Sequence, residues 1–116
     1  MKRQAGNQAE DLAAAYLVDQ GYRVLSRNYR TEYGEIDIIC EKDGDLVFVE
    51  VRSRSTGGFG LPEESITARK MGRIRRTALA YLAQGEAKRF RRLRFDVIAI
   101  RIGPGKPEIR HIEGAF

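Results

Sequence analysis

The sequence predicts a mixed α/β domain with the element order α-β-β-β-α-β-β. Three observations predict it. Two segments repeat apolar residues at helical spacing. Between them lie β-rich runs joined by an Asp-Gly turn, and after the second helix a further β-rich run follows. A meander followed by a helical crossover gives a mixed sheet with helices packed against it.

The first helix runs from about Asn7 to Gln20, where Ala9, Leu12, Ala13, Tyr16 and Leu17 form one apolar stripe. Gly21 is its stop. Tyr22 to Tyr29 reads as a first strand and Thr31-Glu32-Tyr33-Gly34 as a turn. Glu35 to Cys40 is the second strand, with Ile36, Ile38 and Cys40 on one face and Glu35, Asp37 and Ile39 on the other. Leu46 to Arg52 is the third, with Val47, Val49 and Val51 on one face. Lys42-Asp43-Gly44-Asp45 between them is a hairpin signal. Ser53 to Ser65, with Gly57, Gly58, Gly60 and Pro62, reads as a loop. Thr67 caps a second helix that ends near Gln84, before Gly85. A basic connector, Lys88 to Arg92, leads to a strand at about Arg94 to Ile102. After the turn at Gly103-Pro104-Gly105, Glu108 to Ile112 is a short last strand, and Phe116 an apolar end that packs back.

With 116 residues the chain suits one domain around one core, spanning 1–116. At 42% hydrophobic and 32% charged residues the composition is that of a folded domain. No apolar run approaches the roughly 20 residues of a membrane span, so no membrane partner is expected. Met1-Lys2-Arg3-Gln4 opens onto an amphipathic stretch and not an apolar signal core. The single cysteine, Cys40, excludes an intrachain disulfide and a cysteine-based zinc site. The cytoplasm is the expected compartment.

The net charge of +5 is unevenly spread. From Arg69 to Phe95 there are ten basic residues and one acidic residue, Glu86. Arg69, Arg73 and Arg76 recur at helical spacing on a more exposed side; Lys70 neighbours them, and Arg89 and Arg92 belong to the connector. Such a surplus fits a polyanion such as nucleic acid, and equally a solvated helix face beside a basic loop.

The hairpin fixes a register. If Asp43 and Gly44 form the turn, Lys42 pairs with Asp45, which carries Asp37 opposite Glu50 and Glu35 opposite Arg52. Opposed residues hold their Cβ atoms about 4.5–5.5 Å apart on one sheet face. Two carboxylates so placed repel unless one is protonated or a cation lies between them. Mg²⁺ or Mn²⁺ suits two carboxylates, water and a backbone carbonyl such as that of Val51. The plainer reading is an ion cluster neutralised by Arg52 or another arginine, and both stay open.

Gly34-Glu35-Ile36-Asp37, Val47-Phe48-Val49-Glu50-Val51-Arg52 and Arg94-Phe95-Asp96-Val97-Ile98, with the opening Gly6 to Leu17 and the closing Glu113 to Phe116, resemble the YraN-like family of small bacterial proteins. The resemblance covers nearly the whole chain. That family is similar to archaeal Holliday-junction resolvases and to the PD-(D/E)xK nuclease superfamily. What the resemblance implies is a single nuclease-like domain of restriction-endonuclease-like fold, a Mg-dependent phosphodiesterase scaffold acting on DNA, branched DNA included, and a homodimer. Asp37 and Glu50 match the motif acids that ligate metal, and Glu10 matches the accessory acid on the first helix. Arg52 stands where the motif has lysine. Arginine stays protonated and cannot act as a base, but it can hold a phosphate oxygen or stabilise developing negative charge. The catalytic set so implied is Asp37, Glu50 and Arg52.

Lys70 offers a lysine from another element, although the plainer reading makes it part of the basic face. Asp96 reads as a strand-end hydrogen-bond acceptor, His111 as structural or exposed, and Cys40 as a small buried apolar residue. Ser53 and Ser65 have no histidine near them in sequence to activate them. Two functions follow: a metal-dependent endonuclease-like protein, or a non-catalytic nucleic-acid-binding module on the same fold. A protein-interaction role, in which the basic patch meets an acidic partner, has no sequence feature of its own.

Overall fold

The computed structural model of the protein describes residues 5–55, 66–85 and 89–116. The glycine-rich segment Gly57 to Gly60, Ser65 and Lys88 lie outside the described residues. The element order is the expected one: α1 (Ala5–Asp19), β1 (Arg23–Thr31), β2 (Gly34–Lys42), β3 (Asp45–Ser55), α2 (Ala68–Leu82), β4 (Arg92–Ile102) and β5 (Glu108–Ile112). The five strands form one sheet in the order β1-β2-β3-β4-β5. β3 and β4 are parallel, joined by the crossover that contains α2, and the other neighbours are antiparallel. Neither described helix is long and apolar enough to cross a membrane.

Local chemistry explains the boundaries. Gly21 adopts a φ of 95°. There its N–H reaches the carbonyl of Val18 and that of Tyr22 reaches Leu17, the paired bonds that close a helix at a left-handed glycine. Asp43 and Gly44 both have positive φ, 53° and 86°, as the tightest hairpin turn requires. Lys42 pairs with Asp45 as the Asp-Gly motif predicts. The Thr67 hydroxyl accepts the Lys70 N–H at 3.1 Å and caps α2.

The helices lie on opposite faces of the sheet. Ala9, Ala13 and Leu17 of α1 pack with Ile38, Cys40, Val47, Val49, Ile98 and Ile100. Ile74 and Ala78 of α2 pack with Ile36, Ile39, Leu46 and Phe48. Burial pushes the Cys40 thiol up to about 12, in keeping with an inert core residue.

Two details depart from the sequence expectation. Ile36 and Ile38 do not share a face: Ile36 belongs to the α2 layer and Ile38 to the α1 layer. The alternation changes phase at Asp37. It changes at the same step of β1, where Asn28 has a φ of 55° and lies between the pairs Arg27–Ile38 and Tyr29–Ile36. Asparagine tolerates this left-handed conformation better than most residues. Second, β3 extends to Ser55 and not Arg52, because its parallel pairing with β4 continues from Asp45–Arg92 to Ser55–Ile102. Its pairing with β2 ends earlier, at Ile38–Val49. Beyond that pair β2 stays with β1 while β3 stays with β4, and the sheet forks.

Candidate active site at the fork of the sheet

Asp37 and Glu50 stand at the fork. They are one step past the last β2–β3 pair, so the backbone no longer joins their strands there. Asp37 makes the join with its side chain: Oδ2 accepts the Val51 N–H at 2.7 Å. The Val51 backbone thus meets the site through its N–H, where the sequence suggested its carbonyl as a ligand. Burial pushes the Asp37 carboxyl up to about 7, the negative charge of Glu50 adds to the rise, and the Val51 hydrogen bond opposes it.

Glu50 is only 6% exposed. Its Oε2 faces two cations, Lys70 Nζ at 2.8 Å and Arg52 Nη1 at 3.2 Å. Lys70 therefore reaches into the site and is not only part of the basic helix face. No local sequence signal announced this, because the approach of α2 to the Glu50 position of β3 is set by the crossover. Arg52 bonds Glu50, two residues before it on its own strand, and the expected opposition of Arg52 to Glu35 does not form. Glu35 instead sits opposite Arg30, with which it makes an ion pair at 3.3 Å. Glu35, Asp37, Glu50, Lys70 and Arg73 line a cleft of about 220 Å³.

Glu10 is buried, 5% exposed, but is held by other partners. Its Oε1 accepts from Arg27 Nε at 3.0 Å and Asn28 Nδ2 at 2.8 Å. The phase change at Asn28 turns both donors toward α1. Among the described residues no three carboxylate, histidine or cysteine side chains gather closely enough to hold one metal ion. Glu10 nonetheless lies near enough for its charge to contribute to the rise at Asp37.

The basic residues divide into two groups. Arg69, Arg73 and Arg76 are exposed on α2. Arg89 and Arg92 reach the acids of the β2–β3 hairpin, Arg89 to Glu41 at 3.0 Å and Arg92 to Asp45 at 2.6 Å. The Arg92 hydrogen bond and charge hold the Asp45 carboxyl below its ordinary value against its desolvation. Arg75 lies over the rings of Phe95 and Phe116, which stack on each other with centroids 5.4 Å apart.

Asp96 is fully buried on the α1 side. It accepts from Arg94 Nε and Nη2, each at 2.9 Å, and from the Gly114 N–H at 3.0 Å. Its Oδ2 lies 2.7 Å from His111 Nε2, and Tyr16 Oη lies 3.2 Å from His111 Nδ1. Burial raises the Asp96 carboxyl, but the His111, Arg94 and Gly114 hydrogen bonds outweigh it and hold the group below its ordinary value. His111 is thus half-buried and structural.

Fold and site together define a mixed α/β domain with a carboxylate pair, half-buried Asp37 and buried Glu50, at a forked sheet, faced by a lysine and an arginine. The chain belongs to the uncharacterised protein family UPF0102, the YraN-like family, whose model matches residues 9–100. It is 46% identical to a UPF0102 protein of Syntrophomonas wolfei over the full length of both chains. It is 45% identical to one of Rhodococcus opacus, over 96% of this chain and 94% of that one. A Sulfurihydrogenibium relative is 47% identical over 99% of this chain and 96% of its own.

Proposed function

We propose that this protein is a cytoplasmic, nuclease-like domain that binds DNA and acts on its phosphodiester backbone, branched DNA included. The observation that carries this reading is the pair of half-buried Asp37 and buried Glu50 at the fork, beside a cleft that also presents Lys70 and Arg73. A half-buried carboxylate pushed up to about 7 by desolvation and a neighbouring acid is a group whose ionisation a cation would favour. Asp37 and Glu50 would hold Mg²⁺ or Mn²⁺ with water completing the shell, and Glu10 would act through water because Arg27 and Asn28 hold it. The metal would supply an activated water and neutralise charge on the phosphate.

This chain's own residues supply the rest. Lys70, on α2, takes the part that Arg52 cannot play: it steadies the attacking oxygen, while Arg52 stabilises developing negative charge. Arg69, Arg73 and Arg76 track neighbouring phosphates. A homodimer would double this basic surface.

Purified protein offered a panel of duplex, flapped and four-way-junction DNA is expected to cleave with Mg²⁺ or Mn²⁺ and not with EDTA. Asp37→Ala is expected to abolish turnover. Cleavage that survives Asp37→Ala would refute the assignment.

One observation favours a second reading, a binding module without catalysis. The Lys70 ammonium already lies 2.8 Å from Glu50 and Arg52 fills the lysine position, so the pair has cations of its own. That reading predicts salt-sensitive binding, no turnover, and no calorimetric Mg²⁺ signal in wild type or Glu50→Gln.

A further inference from the structure

Beyond Val49 the side of β3 that faced β2 is no longer paired with it. The residues that follow, Val51 to Arg54, line a second cleft of about 310 Å³. Strand alternation puts Glu50, Arg52 and Arg54 on one face of β3. Arg54 Nε is buried and has no hydrogen-bond partner among the described residues. A buried N–H without an acceptor is costly, and a ligand that supplies the acceptor relieves that cost. Two residues of extended strand advance about 6.7 Å, a spacing comparable to that of successive phosphates in an extended nucleic-acid strand.

We propose that this cleft is a second phosphate subsite, in which the Arg54 guanidinium binds the backbone phosphate next to the one that Arg52 meets. The proposal rests on the nucleic-acid reading above and deepens it. The strand runs along β3 from the carboxylate pair toward Ser55, so the two arginines set its direction through the site. A guanidinium suits this task because its planar fork matches two phosphate oxygens at once. Nothing about Arg54 requires the metal, so the subsite serves catalytic and non-catalytic binding alike.

The test measures binding of a fluorescein-labelled oligodeoxynucleotide by anisotropy over a series of KCl concentrations. Arg54→Ala is expected to weaken binding about tenfold and to reduce the salt slope by about 0.7–0.9, the loss of one phosphate contact. Arg54→Lys is expected to keep the slope while regaining only part of the affinity. In parallel, the arginine Nε resonances of the ¹⁵N-labelled wild-type chain are followed during titration with inorganic phosphate and then with the 5′-phosphorylated dinucleotide pdTpdT. The Arg54 resonance is expected to shift with both, and more strongly with the dinucleotide. Unchanged affinity and slope in Arg54→Ala, with binding lost when Arg69, Arg73 and Arg76 are neutralised, would overturn the subsite and leave the wider reading standing. Wild-type protein that binds no oligonucleotide would overturn both. Should Arg54→Ala fail to fold, the lysine variant and the wild-type titration decide, and an unmoved Arg54 resonance counts against the proposal.

Discussion

Asp37 is asked to do two things that conflict. Its Oδ2 closes the gap in the sheet by accepting the Val51 N–H, a bond that favours the carboxylate, while burial and Glu50 favour the acid. With the folded value raised to about 7 from the ordinary 3.8, the unfolded chain ionises first as pH climbs. Stability of the metal-free protein therefore falls between about pH 4 and 7 and levels off above that. Asp37→Asn is expected to remove this slope and to raise stability at pH 8 by about 1–2 kcal/mol, read from thermal melts by circular dichroism across pH. Divalent cation binding has the opposite dependence, because it needs the ionised form. Calorimetry in buffers of different ionisation enthalpy is expected to show proton release on Mg²⁺ binding, with affinity rising up to about pH 7 and then constant.

At the scale of elements, two anchors hold the site's surroundings. The Thr67 cap fixes the first turn of α2, the turn that carries Lys70 toward Glu50. Thr67→Ala is expected to cost about 1 kcal/mol in chemical denaturation. The Asp96 network ties β4 to β5 and to the chain end, where the Ala115 N–H reaches the Phe95 carbonyl and Phe116 stacks on Phe95. Asp96→Asn removes the charge that faces Arg94 and His111 while keeping the shape, and is expected to cost about 3 kcal/mol. Because Asp96 is held below its ordinary value, its contribution is present above about pH 4 and is lost as pH falls further. The wild-type advantage over Asp96→Asn should therefore vanish in acid. An advantage independent of pH would show that packing, not charge, is what the variant lost.

For the molecule as a whole, the net charge of +5 is partly spent internally. Arg89 and Arg92 answer the acids of the hairpin, while Arg69, Arg73 and Arg76 stay exposed beside the cleft. Neutralising these three together is expected to weaken oligonucleotide binding uniformly across sequences and to reduce the salt slope by about two to three, measured by anisotropy. Neutralising Arg92 is expected to lower stability through Asp45 and to leave the slope nearly unchanged. A slope indifferent to the α2 triple variant would remove this face from the interface.

What the sequence determined by itself was local and periodic. It set the order of the seven elements, the left-handed stop at Gly21, the Asp-Gly turn and the register that follows from it, and the closeness of Asp37 to Glu50. A register extends by counting only while two strands remain paired and the pleat keeps its phase. The tertiary structure decided where both conditions end: β3 leaves β2 after Val49 to stay with β4, and Asn28 resets the alternation beside Asp37. These are contacts between segments far apart in the chain, and no window of sequence contains them. The same long-range packing turned Glu10 toward Arg27, brought Lys70 to Glu50, and buried Arg54 Nε at the open edge of β3.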